Sequence, residues 1–217
     1  MRSQDVKAPT KKVYDYIHTE ITNRRMKPGQ ILTEISLCQT LGVGRSPVRL
    51  ALKQLSDDGF ILLRENRGAA VSTFSETDVR QLYLLRENFI AFALNESIDR
   101  YSEEDIQALT DCLAAQESAF ERRDFDDYIK GVTWFYRFII DKAENPYLTE
   151  CAAVIINRTN VFLCLYDDFY SVKKLKSLPL MLQMTEGIRE KNAPAVIRAH
   201  RKLRRSIENA YDYFVRH

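Results

Sequence analysis

A chain of 217 residues, 45% hydrophobic and 29% charged with a net charge of +2, has apolar material for one medium core or two small ones. That composition excludes a disordered or collagen-like chain. The longest apolar stretches, such as Val161–Tyr166, are far too short to span a bilayer. The opening MRSQDVKAPTKKV has no apolar core of the kind an export signal needs. Cys38, Cys112, Cys151 and Cys164 are widely spaced, with no CxxC pair, so they read as reduced thiols in a cytoplasmic protein, not as disulfides or a zinc site.

Charge and glycine are unevenly spread. Residues 1–75 hold 12 Lys and Arg against seven Asp and Glu, net +5, and the rest hold 20 against 23, net −3. Five of the seven glycines fall in the first 68 residues. Frequent turns mean short elements, and their scarcity later means long helices. The expected division is a small basic domain over 1–75 and a larger helical one over 76–217. A basic module of this size points to a polyanion partner.

In chain order, Val13, Ile17 and Ile21 recur at helical spacing and predict a first helix over 10–25, ended by the Pro-Gly turn at 26–30. Thr33 starts a second helix that runs to Leu41, and Gly42 ends it. A third helix begins at Arg45, carries Val48, Leu52 and Leu55 on its inner face, and stops at Asp57-Asp58-Gly59. Phe60–Leu63 and Ala69–Thr73 are expected strands, joined by the charged loop Arg64–Gly68. Helix, tight turn, helix and basic hairpin make a winged helix-turn-helix.

The chemistry of that module lies at the start of its third helix. Arg45, Ser46 and Arg49 cluster in the first turn or so, and Pro47 stands where a missing N–H costs nothing. A helix N-terminus favours phosphate through its free N–H groups and dipole. Arg45 and Arg49, one turn apart on one face, both reach a major groove, where an arginine bidentate to guanine is worth about 1–3 kcal/mol of discrimination. At the wing, Arg67 followed by Gly68 allows close approach of the backbone to a sugar-phosphate edge or minor groove. The plainer alternative is that these arginines are solvated surface charge.

Residues 28–71, with LGVGRSPVRLAL followed by the Gly-Phe and Arg-Gly wing, resemble the DNA-binding domain of GntR-family bacterial transcription regulators. The resemblance implies operator contacts from Arg45, Ser46 and Arg49, and a wing glycine at Gly68 in the minor groove. Three positions depart from the family pattern. Gly44 stands in place of a usual Ser or Thr, Ile35 in place of a frequent Arg, and Leu50 in place of a usual Glu. Operator preference is expected to differ accordingly.

From Ser75 onward the chain is almost continuously helix-periodic. Ser75-Glu76 and Ser102-Glu103 are start signals, and Pro146, Pro179 and Pro194 mark first turns or boundaries. Six helices are expected, over 76–98, 102–122, 124–143, 146–168, 176–191 and 193–215. The fold class is thus mainly α, a winged helix-turn-helix followed by an all-α six-helix bundle. The stretch LYLLRENFIAFAL, with Arg86 and Glu87, resembles the opening helix of the FadR-like effector domain (the FCD domain), and FYRFIIDKAENPYL resembles a later family segment. Six helices place the resemblance with the VanR-like branch.

Many FCD domains hold a divalent metal through one Asp and three His. The resemblance puts those positions on Val132, Tyr136, Met181 and Leu203, none of them a usual ligand, so no metal is expected. Arg86 interrupts the apolar stripe of Val79, Leu82, Tyr83, Ile90 and Ala93. It reads either as a structural ion pair with Glu87 or a carboxylate on another helix, or as a clamp for an effector carboxylate. His200, among Val196, Leu203 and Ile207, reads as a core histidine or a ligand. Tyr136 either offers its hydroxyl to an effector or, with Met181, plugs the vacated cavity. Asn145 before Pro146 is expected to cap a helix.

No catalytic carboxylate motif, nucleophile elbow or phosphate-binding glycine loop supports an enzyme. The expected function is a repressor that binds an inverted-repeat operator in double-stranded DNA as a homodimer, modulated by a small-molecule effector in the bundle. The alternative is a DNA-binding dimer whose bundle serves only for dimerisation.

Overall fold

In the computed structural model, which describes residues 7–64, 68–166, 169–170 and 172–216, the first helix α1 runs Lys7–Thr22 and buries Val13, Ile17 and Ile21 completely. It begins three residues before the expected start and ends three before the expected stop. Arg24 takes a left-handed conformation, φ 59°, and the amides of Arg25 and Met26 both return to the Glu20 carbonyl. That closure exhausts the helix before Pro28-Gly29 is reached. Then come the two-residue strand β1 (Ile31–Leu32), α2 (Glu34–Leu41), α3 (Arg45–Asp57), β2 (Ile61–Arg64) and β3 (Gly68–Val71).

Local chemistry sets these limits. Thr33 Oγ1 accepts from the Ser36 amide and caps α2, and Gly42, at φ 63°, ends it with an N–H returned to the Cys38 carbonyl. The α3 helix presses Val48, Ala51, Leu52 and Leu55 onto α1 and β2. The sheet is antiparallel in the order β1-β3-β2, with Ile31 opposite Ala70 and Leu62 opposite the same residue on the other side. β1 was not expected, because two residues carry no alternation to read. Phe60, Ser72 and Thr73 were expected in strands and are not. The Phe60 amide returns to the Leu55 carbonyl, and the Ser72 hydroxyl donates to the Gly59 carbonyl at 2.6 Å, so both ends of the hairpin are tied to the end of α3.

The chain divides into two compact units, Met1–Phe74 with Val161–Leu165, and Ser75–Asn160 with Tyr166–His217. The second is mostly helix: α4 (Glu76–Ser97), a 3-10 turn (Ile98–Arg100), α5 (Glu103–Glu121), α6 (Phe125–Asp141), α7 (Pro146–Tyr166), α8 (Ser177–Arg189) and α9 (Ala193–Arg216). Six α-helices from α4 onward, among the described residues, is the expected number. Residues 167 and 168 of the expected fourth helix lie outside the described residues. Ser75 and Ser102 each form a reciprocal box with the aspartate three residues on, Asp78 and Asp105. Asn145 Oδ1 accepts from the amides of Tyr147 and Leu148, the cap expected for α7.

Packing contacts run from α4 to α9, α9 to α8, α8 to α5, α5 to α6 and α6 back to α4, a closed ring. Gly131 permits the close approach of α5 and α6, since a Cβ there would lie 2.5 Å from Gln116 Cγ. Among the described residues α7 alone is long and apolar enough to cross a membrane by length and composition, and 56% of that stretch is buried within the protein.

Candidate nucleic-acid interface and buried cation cluster

The first turn of α3 is open. Gly44, at its N-cap, supplies no side-chain hydrogen bond, so the leading N–H groups have no cap from that residue. Pro47 occupies the third helical position, where its missing N–H removes nothing the helix uses. Arg45, Ser46 and Arg49 are all exposed. Arg49 is not loose: its Nε donates to both oxygens of Glu34, at 2.8 and 3.0 Å, from the first residue of α2. An exposed pair of this kind adds at most about 1 kcal/mol to stability. Its effect is to fix Nε, while the four Nη hydrogens make no hydrogen bond among the described residues on a side chain 66% exposed. Sequence reasoning missed Glu34, since nothing in a 15-residue separation across a turn signals contact.

Leu50 and Ile35, two of the departures from the family pattern, are 47% and 61% exposed. Gly68 is exposed at the start of β3 with φ 75°, and a Cβ there would lie 3.0 Å from the Leu32 carbonyl oxygen. The glycine is therefore required by the β1–β3 approach as well as by its backbone conformation. Arg67 lies outside the described residues.

The second unit brings three of the four expected effector residues together. Arg86 is 1% exposed, with its guanidinium carbon 4.3 Å from the centre of the Tyr83 ring and 3.9 Å from that of Tyr136. Its Nε donates to His200 Nε2 at 3.2 Å and an Nη to Thr159 Oγ1 at 3.3 Å. The expected ion pair of Arg86 with Glu87 is not formed. Consecutive helical residues diverge by about 100°, and Glu87 turns instead to α9, accepting from Arg201 at 2.8 and 3.1 Å and from Arg204 at 3.4 Å. Met181 is buried on α8, and its carbonyl accepts from Thr185.

An Nε2 that accepts from arginine carries no proton, which puts the His200 proton on Nδ1, 3.9 Å from Glu87 Oε2. Burial holds His200 down to about 4, against the pull of Glu87. Glu87 is held near 2, chiefly by His200 opposite it and then by Arg201, against the cost of burial. Burial pushes the Tyr136 phenol up despite the nearby Arg86, and Tyr136 Oη is buried without a hydrogen-bond partner among the described residues.

A histidine charged when unfolded but neutral when folded lowers stability as protons are added. Stability is expected to fall as pH drops from about 6.5 to 4, by up to roughly 3 kcal/mol from His200 alone. Denaturant unfolding across that interval, wild type beside His200→Gln, checks this, and the variant should show the flatter profile.

The four residues that the resemblance sets at the family's metal positions are not of a kind that suits a divalent ion. Val132 and Leu203 offer hydrocarbon, Met181 a thioether, and Tyr136 a phenol that burial keeps protonated despite the guanidinium against its ring. Among the described residues no group of three or more His, Cys, Asp or Glu side chains is placed to hold one.

Comparison with known proteins agrees with this architecture. Residues 9–71 match the model of bacterial regulatory proteins of the gntR family, and residues 81–210 match the FCD domain. The chain is 28% identical over 136 residues to the HTH-type transcriptional regulator YdhC of Bacillus subtilis, covering 62% of this chain and 61% of that one. It is 26% identical over 132 residues to the HTH-type transcriptional repressor RspR of Escherichia coli, covering 61% and 58%. The matches thus span about three fifths of the length of these curated relatives. Among solved structures, a GntR transcriptional regulator from Rhodococcus sp. RHA1 superposes with a TM-score of 0.72 at 18% identity, covering 94% of this chain and 97% of that one. The McbR/YncC structure of Escherichia coli gives 0.68 at 17%, covering 95% and 98%. The chain belongs to the GntR family of transcription regulators, as a helix-turn-helix domain joined to an FCD domain.

Proposed function

We propose that this regulator binds an inverted-repeat operator as a homodimer, with Arg45, Ser46, Pro47 and Arg49 at the start of α3 in the major groove and the Arg67-Gly68 wing against the minor groove. The observation that carries the reading is the open α3 N-terminus beside an exposed Arg49 whose Nε is fixed by Glu34. Two copies give two recognition helices, and two-fold protein symmetry calls for a two-fold site. The naming of RspR as a repressor supports repression as the mode. Selection of genomic fragments by the purified protein at near-physiological salt tests it. Wild type should enrich a short inverted repeat that Arg49→Ala does not. Enrichment of the same sequence by both would remove α3 from the account.

The buried cluster supports a second element of the reading, a small carboxylate effector bound without a metal. Among the described residues Arg86 has no carboxylate partner, Glu87 is already shared by Arg201 and Arg204, and the Tyr136 hydroxyl beside Arg86 is unpaired. A forked guanidinium and a phenol suit an anionic ligand, with His200 and Met181 as further candidate lining residues. Such a ligand shifts DNA binding only by the difference in its affinity for the two states. Thermal-shift measurements with small mono- and dicarboxylates should raise the melting temperature of wild type and not of Arg86→Met, with zinc and chelator leaving both unchanged. If no carboxylate shifts it, the bundle is a dimerisation module alone.

A further inference from the structure

We propose that the dimer forms along α4, whose outer ridge Arg80, Leu84, Asn88, Phe92 and Glu96 packs against the same ridge of a second copy about a two-fold axis at Asn88. The inference rests on the dimeric reading above and names its surface. Between Gln81 and Asn95 the exposed residues of α4 are Gln81, Leu84, Leu85, Asn88, Phe92 and Asn95, with no charge among them. The only ionic side chains in that interval, Arg86 and Glu87, are buried inward. Leu84, Leu85 and Phe92 are 45%, 41% and 47% exposed, three large apolar side chains on one helix, where α6, α7 and α8 expose such residues more singly, as Trp134, Tyr147, Val154 and Leu182.

The order of residues on this ridge matches itself when reversed. Centred on Asn88, an antiparallel copy brings Leu84 against Phe92 of the other chain, Gln81 against Asn95, and Arg80 against Glu96. Apolar meets apolar, amide meets amide, and each end closes with an opposite charge. Arg80 and Glu96 are exposed and make no ion pair among the described residues. A two-fold contact requires this self-complementarity, since every contact in it occurs twice. The five ridge residues are spaced four apart, and ridges of that spacing interlock at a crossing angle of about −50°, the commonest helix packing. Beside the ridge runs a groove of about 360 Å³ between α4 and α9, lined by Ala91, Ala193, Pro194 and Ile197 and also by Arg198 and Arg201, which offers the facing copy both apolar surface and cations.

Light scattering and disulfide trapping on the full chain test the surface. Arg80→Glu alone and Glu96→Arg alone should each raise the dimer dissociation constant about tenfold, and the double variant should restore it, with helix content by circular dichroism unchanged throughout. At an interaxial distance of about 8–10 Å, two Cα atoms on the axis lie roughly 4–5 Å apart, within disulfide reach. In a Cys151→Ser background, which removes the exposed thiol, Asn88→Cys should therefore cross-link on addition of a mild oxidant. Gln81→Cys should not, because the antiparallel register carries the two copies of that position about 20 Å apart along the helices. A dimer that ignores the charge swaps and fails to cross-link at position 88 overturns this interface and leaves the dimeric reading standing. A wild-type protein that stays monomeric overturns both.

Discussion

Replacing Arg49 by alanine should cost about 1–3 kcal/mol of specific DNA binding, a loss of roughly ten- to a hundredfold, and relax the sequence preference at one base pair of each half-site. Non-specific affinity should change far less, because a base-reading arginine contributes little to counterion release. Glu34→Gln should produce a weaker version of the same defect. It keeps the guanidinium but removes the two-oxygen grip at 2.8 and 3.0 Å that fixes Nε, so discrimination falls through lost orientation. Arg45→Ala should lower affinity with a larger change in salt slope if it meets phosphate. Fluorescence anisotropy on operator and scrambled duplexes at several salt concentrations separates the three. Equal losses on operator and scrambled DNA in Arg49→Ala would make Arg49 a phosphate contact instead of a reader.

The largest stability effect should follow Glu87→Gln. The carboxylate is 5% exposed and is shared by Arg201 and Arg204, with His200 opposite and the buried Arg86 one residue away. Removing its charge takes one of two anions from the Arg204 guanidinium, only 15% exposed, which keeps Glu208 at 2.9 Å, and removes the negative charge nearest in sequence to the buried Arg86. Such losses cost about 3–5 kcal/mol, or a fall in melting temperature of about 10–15 °C for a unit of this size. Arg201→Ala should cost much less, since its side chain is 47% exposed and water takes over. The pH dependence identifies the cause. A carboxylate held near 2 when folded contributes stability above its ordinary value of 4.5 and loses it as pH falls toward 2. The difference between wild type and Glu87→Gln should therefore narrow as the solution is acidified below 4.5.

What the sequence made legible was local. Thr33, Gly42, Ser75, Ser102 and Asn145 mark helix ends because each acts on amides or carbonyls within a few residues of itself, and all five do so in the structure. The exposed first turn of α3 was legible for the same reason. β1 was not, because it exists only through its pairing with Ala69 and Ala70, far along the chain. Nor was the pairing of Arg49 with Glu34, or of Arg86 with His200 across 114 residues. A helical period shows that Arg86, Tyr136 and His200 face inward but not which of them meet. Sequence adjacency misled in one place, since Glu87 follows Arg86 yet pairs with Arg201 and Arg204, and the two meet only the opposite nitrogens of His200.

Dimethyl sulfate footprinting on a selected operator tests the DNA-reading face most directly, because the reagent methylates guanine N7 in the major groove, the atom a bidentate arginine covers. The account predicts protected guanines in two half-sites about one helical turn apart, with that protection lost in Arg49→Ala while a parallel hydroxyl-radical footprint of the backbone persists. Guanine protection that survives Arg49→Ala unchanged, or protection confined to the minor groove, would contradict it.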